Sequence, residues 1–525
     1  MSVGFLSLSQ EILWIRLISF ILKGVAQSFP LVLFCFLIGI GAGAALGKRF
    51  CERGFDLFLT STVVLLVAAV VDVSLVLLLP ALMTWPAGLV VVLVLVVLTA
   101  GLKSVIFPIA HHLGSQQSGA RVGRSVSRVY FGNIVGSTLG PIITGYVLLD
   151  QLTVDQCLLL VGGATSVLAL MCALRVPARF AATRSVAVAV VLIAVALWLG
   201  PTAMIPSIAL ATQKVGVSQS ITVDTGQEAR ITNVIQNRHG IIHTVSTSPR
   251  EPETVLGGNV YDGRLNANMT INYNGLDRGL VLLGMHAHPE RVLLVGLSAG
   301  AWARVLTSSQ AIKQMTVVEI NPGYLEVIAK YPEVAPVLSD PRVKIVIDDG
   351  RRWLRSHKKE KFDLIVQNTT FSWRAYSANL LSREYMQLVR SHLRTGGIAA
   401  FNSTYSSDVL ETARNVFPFV QRRDNFIYGS DNDFSRPTAT AERSFRELQL
   451  DSRPVFGEAD FAPGGIVRSM VDEPFTPVDK QYDRLSPSPG VITDQNLLSE
   501  HAHGKIREVF PRFYRAVDKV RSAIH

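Results

Sequence analysis

Residues 24–47 contain no Asp, Glu, Lys or Arg, and neither do residues 73–102. Apolar runs of that length constrain a chain more than any motif does. About 20 apolar residues wound as a helix cross the hydrocarbon core of a bilayer. In lipid only helices and closed barrels satisfy every backbone polar group. Comparable runs fill the first 200 residues, which hold 12 Lys/Arg and 6 Asp/Glu, while the remaining 325 hold 38 and 34. Spans are expected at roughly 5–24, 25–47, 55–79, 87–111, 129–149, 155–174 and 185–204. The first carries Glu11, Arg16 and Lys23, and an interfacial position suits it as well as a crossing does. Residues 1–205 therefore read as a helical, multi-pass membrane domain joined to a globular part. With 49 % hydrophobic residues, the chain is not disordered, collagenous or disulfide-stapled.

The net charge of +10 is shared between both parts and gives no reason to expect a nucleic-acid partner; the expected partners are the lipid bilayer and, as an open possibility, a second copy of the chain. Basic residues gather in three loops: Lys48, Arg49 and Arg53; Arg121, Arg124 and Arg128; Arg175, Arg179 and Arg184. The positive-inside rule assigns these loops to the cytoplasm. Cys35, Cys51, Cys157 and Cys172 form no Cys-x-x-Cys, so no zinc site or disulfide framework is expected. Asp72 lies inside an apolar run, where a carboxylate pairs with Arg16 or another polar group unless it has a functional role. His111 and His112 read as helix-end residues. Gly39, Gly41, Gly43 and Gly47, and again Gly132, Gly136 and Gly140, suit close helix packing. This pattern of small-residue helices resembles half of a major-facilitator-type transporter.

Beyond residue 215 the pattern changes. Residues 216–275 mix β-branched residues with Gly, Asn, Thr and Pro and read as a β-hairpin module. From 276 to 525 apolar strands alternate with helices: strands at 291–296, 315–319, 343–347, 362–366 and 398–402 predict a parallel, doubly wound α/β sheet. Such sheets bind ligands at the carboxyl ends of their strands. Gly296, Ser298 and Gly300 follow the first strand and let backbone approach a ligand. Glu319, at the end of the second, can accept both hydroxyls of a ribose, with Ile320 beside it. Asp349 and Gly350 follow the third and can take an exocyclic amine of adenine. In that order the three signals point to an adenosine-containing ligand.

Here the chain resembles the spermidine synthase (polyamine aminopropyltransferase) family, in its membrane-fused bacterial branch. The motifs are Val-Leu-Leu-Val-Gly-Leu-Ser-Ala-Gly (292–300), Val-Val-Glu-Ile-Asn-Pro (317–322), Asp-Asp-Gly-Arg (348–351), Leu-Leu-Ser-Arg-Glu-Tyr (380–385), Arg-Thr-Gly-Gly (394–397) and Ile-Thr-Asp-Gln-Asn (492–496). The segment 259–264, Asn-Val-Tyr-Asp-Gly-Arg, resembles the family's N-terminal β module. The resemblance implies a methyltransferase-like fold that binds S-adenosylmethionine or its decarboxylated form as substrate, with no further cofactor and no metal. It also implies attack at the carbon γ to the amine, release of methylthioadenosine, and residence in the bacterial plasma membrane.

Two departures redirect that expectation. The family's glycine loop carries an Asp for the aminopropyl amine, where this chain has Ala299. After the fourth strand the family has two Asp residues that bind and deprotonate the polyamine; here the segment is Gln367-Asn368-Thr369-Thr370-Phe371. An alkylamine has a pKa of roughly 10 and is protonated at neutral pH. A site without the acids neither attracts it nor takes its proton. A carboxylate nucleophile needs no base, and the carboxylate of intact adenosylmethionine reaches its own γ-carbon in a five-membered ring, with the advantage of intramolecularity. The products would be methylthioadenosine and homoserine lactone; transfer of the 3-amino-3-carboxypropyl group to an acceptor is the variant.

Asn368, Thr369 and Thr370 are placed to orient the amino-acid portion, with Gln367 beside the nucleoside. Arg374 suits the substrate carboxylate, and Trp373 and Tyr376 are expected in a lid facing the sulfonium. His239, His243, Gln236 and Asp277 are nearby candidates that read better as structural. The alternatives are an aminopropyltransferase, a methyltransferase, and a transporter or sensor whose soluble part only binds the nucleotide. Sidedness is divided: the basic loops and one further crossing place the catalytic part outside, whereas a cytosolic substrate favours, slightly, the cytoplasmic side.

Overall fold

The computed structural model describes residues 1–116, 122–201, 203–214, 229–272, 274–286, 288–368, 371–434, 441–476 and 489–502. The chain forms two compact units. One comprises Met1–Leu22, Gln27–Thr222 and Gln236–Ile241; the other comprises Lys23–Ala26, Val223–Ile235 and Ile242–His525.

Among the described residues of the first unit, seven helices are long and apolar enough to cross a membrane: Ser2–Ile21, Ser28–Glu52, Leu57–Leu82, Gly88–Ser115, Val126–Gln151, Val154–Ala173 and Ala178–Leu199. The first is the most enclosed of the seven, with two-thirds of its apolar stretch buried. Its polar residues turn inward. Gln10 Nε2 donates to Asp72 Oδ1 at 2.5 Å, and Trp14 Nε1 donates to Thr99 Oγ1 at 3.2 Å. Asp72 is paired with Lys103, Nζ to Oδ2 at 2.6 Å, rather than with Arg16. Both groups are fully buried, and a charge in an apolar bundle persists only with such a partner. Arg16 instead donates to the backbone carbonyls of Asn237 and Arg238.

Gly39, Gly43 and Gly47 share one helix face, and a β-carbon at any of them would run into the carbonyl oxygen of Val97, Gly101 or Val105. Gly41 looks onto open space. Gly136 and Gly140 make the same close approach to Met1 and Phe5 of the first helix. A further helix, Met204–Lys214, buries Ile205, Ile208 and Ala209 and has no counterpart among the expected spans, because Pro201 and Pro206 break its apolar run.

The second unit holds two sheets. The smaller has four strands in order β1 (Arg230–Asn237), β2 (Gly240–Ser246), β3 (Thr254–Gly257) and β4 (Val260–Arg264), the last three pairing antiparallel. Residues 216–228 of the expected module lie outside the described residues. The larger sheet has seven strands: β5 (Arg291–Val295), β6 (Gln314–Glu319), β7 (Val343–Ile347), β8 (Phe362–Gln367), β9 (Leu393–Asn402), β10 (Phe419–Arg423) and β11 (Phe426–Ser430). Their order is β10-β11-β9-β8-β5-β6-β7. The first five are mutually parallel; β11 pairs antiparallel with β9, and β10 antiparallel with β11. The antiparallel pair turns the expected parallel sheet into a mixed one, in the arrangement of a methyltransferase-like fold.

Alternation along the strands builds a core on each face. Val292 and Leu294 enter one cluster with Leu280, Trp302 and Val317. Leu293 and Val295 enter the other with Leu354, Tyr385, Met386 and Phe401. Continuous apolar runs such as 292–295 are what a sheet covered on both faces requires. The order reverses at β5, which lies between β6 and β8, so the carboxyl ends of β5, β6 and β8 open onto a topological switch point.

Candidate active site

At the end of β5 the backbone leaves the strand through Gly296, φ 89°, Ser298, φ 53°, and Gly300, φ 75°. These left-handed conformations come readily to glycine and are uncommon at Ser298. The loop is fastened to β6: the Gly296 N–H donates to the Val318 carbonyl at 2.9 Å, and the Leu297 N–H donates to Glu319 Oε2 at 2.7 Å. The other carboxylate oxygen of Glu319 accepts from the Asn321 N–H at 2.8 Å. Glu319 is 4 % exposed. Burial pushes its pKa above the ordinary carboxylate range and the Asp262 charge adds to that, while the backbone N–H donors oppose it. The Ser298 N–H also faces the carboxylate, so three backbone donors hold it and acceptor capacity for a ribose hydroxyl is left.

At the next strand end, Asp349 caps the helix Gly350–Ser356, accepting from the Arg352 N–H at 2.7 Å. Gly350 packs against Val295, where a β-carbon would lie 2.6 Å from Cγ1. Ile320 and Ile347 are 52 % and 45 % exposed at the ends of β6 and β7, an open apolar edge suited to a flat base. Ile347 had no signal in the sequence beyond its place in a strand.

Gln367, buried at the end of β8, donates from Nε2 to the Leu380 carbonyl at 2.7 Å. Its side chain thereby supports the following segment. The Asn368 N–H donates to the Val295 carbonyl at 3.2 Å. Thr369 and Thr370 lie outside the described residues. Trp373 is half-buried, with its ring 5.3 Å from that of Phe371. Tyr376 is 76 % exposed, with φ 69°, and leads into the turn Ser377–Leu380.

The acidic residue that sequence reasoning passed over is Asp262, in β4. Its carboxylate accepts from the Tyr324 hydroxyl, and its backbone carbonyl accepts from the Ser298 hydroxyl. Gly263 completes the seam, since a β-carbon there would lie 3.2 Å from Ala299 Cβ. Burial raises the Asp262 pKa, and the Arg374 guanidinium and the Tyr324 hydroxyl hold it back. The buried Tyr324 phenol, facing both Asp262 and Glu319, is raised well above its usual value. The signal available in the sequence was the Tyr-Asp-Gly of the β module, which named a motif but no role.

Three motifs meet behind the site. Arg351 donates to Asp494 Oδ1 at 2.7 Å and to the Asn379 carbonyl at 3.0 Å. Asp494 also accepts from Ser382 Oγ at 2.6 Å, and its N–H donates to Glu384 at 3.1 Å. Arg351 and Ser382 hold the Asp494 carboxyl below the usual range. Gln236 and His239 belong to the other unit, where Gln236 Oε1 accepts from the Val154 N–H at 3.0 Å. His243 is buried inside β2, and Asp277 is ion-paired with Arg423 at 2.8 Å. Among the described residues no cluster of His, Cys, Asp and Glu is arranged to hold a metal ion.

Part of the second unit is similar to known proteins. Residues 279–422 match the spermine/spermidine synthase domain. A polyamine aminopropyltransferase of Desulforudis audaxviator is 28 % identical over 149 residues, 27 % of this chain and 54 % of that protein. The spermidine synthase of Schizosaccharomyces pombe is 26 % identical over 147 residues, 26 % of this chain and 49 % of that protein. The chain thus spans about half the length of these curated relatives. Among solved structures, spermidine synthase from Thermotoga maritima aligns with TM-score 0.35 and 16 % identity, over 43 % of this chain and 80 % of that one. Human methyltransferase-like protein 13 in complex with SAH aligns with TM-score 0.28 and 21 % identity, over 34 % and 92 %. On sequence, the second unit carries a spermidine synthase-like domain.

Proposed function

We propose that this chain is an integral plasma-membrane enzyme that cleaves S-adenosylmethionine at the γ-carbon and releases methylthioadenosine. Glu319 receives the ribose, Ile320 and Ile347 flank the base, and Asp349 takes its exocyclic amine. The observation that carries the reading is the absence of an acid from position 299 and from the segment after β8, where an amine nucleophile would be bound and deprotonated. Ala299 is buried against Gly263, and Gln367 is turned to the Leu380 carbonyl. The segment 367–371 supplies no base for an amine nucleophile. A carboxylate oxygen of the substrate then bonds to its own γ-carbon as the carbon–sulfur bond breaks, and the bonding pair stays on sulfur. A sulfonium becomes a neutral thioether, and the other product is homoserine lactone. No proton has to move, which is why the missing acids are tolerable. Transfer of the 3-amino-3-carboxypropyl group to another nucleophile is the variant.

Aminopropyl transfer from the decarboxylated substrate is the second reading, favoured by the names of the relatives. Incubating the purified full-length chain with adenosylmethionine separates them. Methylthioadenosine and homoserine lactone, unaffected by putrescine, are expected. Adenosylhomocysteine would mean methyl transfer, and turnover that requires putrescine and the decarboxylated substrate would establish the second reading.

For sidedness we propose that the second unit faces away from the cytoplasm. Seven helices are long and apolar enough to cross, and seven crossings would put residues beyond 199 on the face opposite the three basic loops.

A further inference from the structure

We propose that Asp262 and Arg374 form the seat of an α-amino-acid head group, Asp262 for the ammonium and Arg374 for the carboxylate, with Gly24 as a positioning residue for Arg374. The inference rests on the adenosylmethionine reading above and names how that site tells the intact substrate from its decarboxylated form.

The acid absent from position 299 is supplied by the neighbouring strand. Asp262 and Gly263 lie directly against Ser298 and Ala299, through the Ser298 hydroxyl to the Asp262 carbonyl and through the Gly263–Ala299 contact. The Asp262 carboxylate is therefore beside the nucleoside loop without belonging to it. Its orientation is set by the Tyr324 hydroxyl. A carboxylate here serves a cationic amine, as an acid at 299 would.

The opposite charge is beside it. Asp262 and Arg374 border consecutive residues of the β3–β4 turn. A β-carbon at Gly257 would strike the Asp262 carboxylate, and one at Gly258 would lie 2.8 Å from Arg374 Nη2. Arg374 is held from the other side by the turn Lys23–Ala26. Val25 forms a β-bridge with Arg374, and the Ala375 N–H donates to the Gly24 carbonyl at 2.8 Å. Gly24, at φ 71°, leaves room for the guanidinium, since a β-carbon there would lie 3.1 Å from Nε. A cation and an anion fixed at adjacent places on one turn match a zwitterion. A substrate lacking its carboxylate forgoes the interaction with Arg374.

The test uses the full-length chain and three ligands: adenosylmethionine, its decarboxylated form, and methylthioadenosine, which keeps the nucleoside and lacks the amino-acid head. The wild type should bind adenosylmethionine at least tenfold more tightly than the decarboxylated form, which needs no variant. Arg374→Met should erase that preference by weakening adenosylmethionine alone, about ten- to a hundredfold. Asp262→Asn should weaken both amine-bearing ligands, and Gly24→Ala should weaken adenosylmethionine only, a selective pattern that general loosening of the fold would not give. Methylthioadenosine should bind all four proteins equally. Binding of methylthioadenosine without any of these discriminations would overturn the seat and leave the nucleoside site standing. Failure of the wild type to bind methylthioadenosine would overturn the nucleoside reading, and the seat with it.

Discussion

The Leu297 N–H donates to Glu319 Oε2 at 2.7 Å, so the loop after β5 is held open by the residue assigned to the ribose. Glu319→Gln replaces one acceptor oxygen by a donor that faces a backbone N–H of Leu297 or Asn321. The variant should lose about 1–3 kcal/mol of stability and a comparable part of nucleoside affinity, roughly ten- to a hundredfold. Calorimetry with methylthioadenosine checks the second effect apart from the amino-acid head. Unchanged affinity in a folded variant would remove Glu319 from the site.

Acid should weaken adenosylmethionine more than methylthioadenosine. Asp262 has a raised pKa in the empty protein, facing Arg374, Tyr324 and Glu319. An ammonium stabilises its ionised form, so binding expels a proton whenever the pH lies below that raised value. Affinity for the amine-bearing ligand should therefore climb as pH rises through the Asp262 pKa and then level off. Titrations between pH 4 and 8 in two buffers of different ionisation enthalpy report the proton directly. In Asp262→Asn the extra pH dependence of adenosylmethionine over methylthioadenosine should vanish.

How much of this was legible follows from the range of the interactions. Glu319, Gly296 and Asp349 stand at strand ends within one βα register, so hydrophobic alternation and short motifs locate them. Asp262 reaches Ala299 only because β4 packs on the β5 loop through Gly263, a relation set by two sheets and not by spacing. Gly24 lies some 350 residues from Arg374 in the chain, and no local pattern announces their contact. Asp72 illustrates the same limit within the bundle: its apolar surroundings demanded a partner, but helix packing, not sequence, chose Lys103. The antiparallel strands β10 and β11 were passed over because Phe419–Arg423 carries charge and only Phe426–Ser430 is fully buried.

His243 should govern part of the acid sensitivity of the second unit. Burial pushes its pKa down to about 3, so the folded state keeps the ring neutral while the unfolded chain protonates near the ordinary value of about 6.5. The unfolded state thus binds more protons between those limits, and stability falls as pH drops through them, by up to about 1.4 kcal/mol per unit from this one residue. His243→Leu should flatten the pH dependence of the melting temperature between pH 4 and 6.5. Altered packing around the leucine shifts the curve at every pH alike, so the slope is the diagnostic. An unchanged slope would mean that His243 titrates normally.

The last expectation concerns the face of the membrane. Seven helices are long and apolar enough to cross a membrane, and each one that crosses reverses the side of the chain. The loops carrying Lys48, Arg49 and Arg53, then Arg121, Arg124 and Arg128, then Arg175, Arg179 and Arg184 follow the second, fourth and sixth crossings. They share one face, and the basic bias makes it cytoplasmic. The connections after the first, third and fifth crossings carry little positive charge, with Asp150 and Asp155 flanking the fifth. Residues after the seventh crossing join that second face. Alkaline phosphatase fused after His525 should be active in intact cells, and green fluorescent protein there should be dark. Active phosphatase obliges the cationic substrate to reach the outer face, which gives the membrane unit a task as its conduit. A fluorescent fusion would instead mean that Ala178–Leu199 does not span, and would return the site to the cytosol where adenosylmethionine is made.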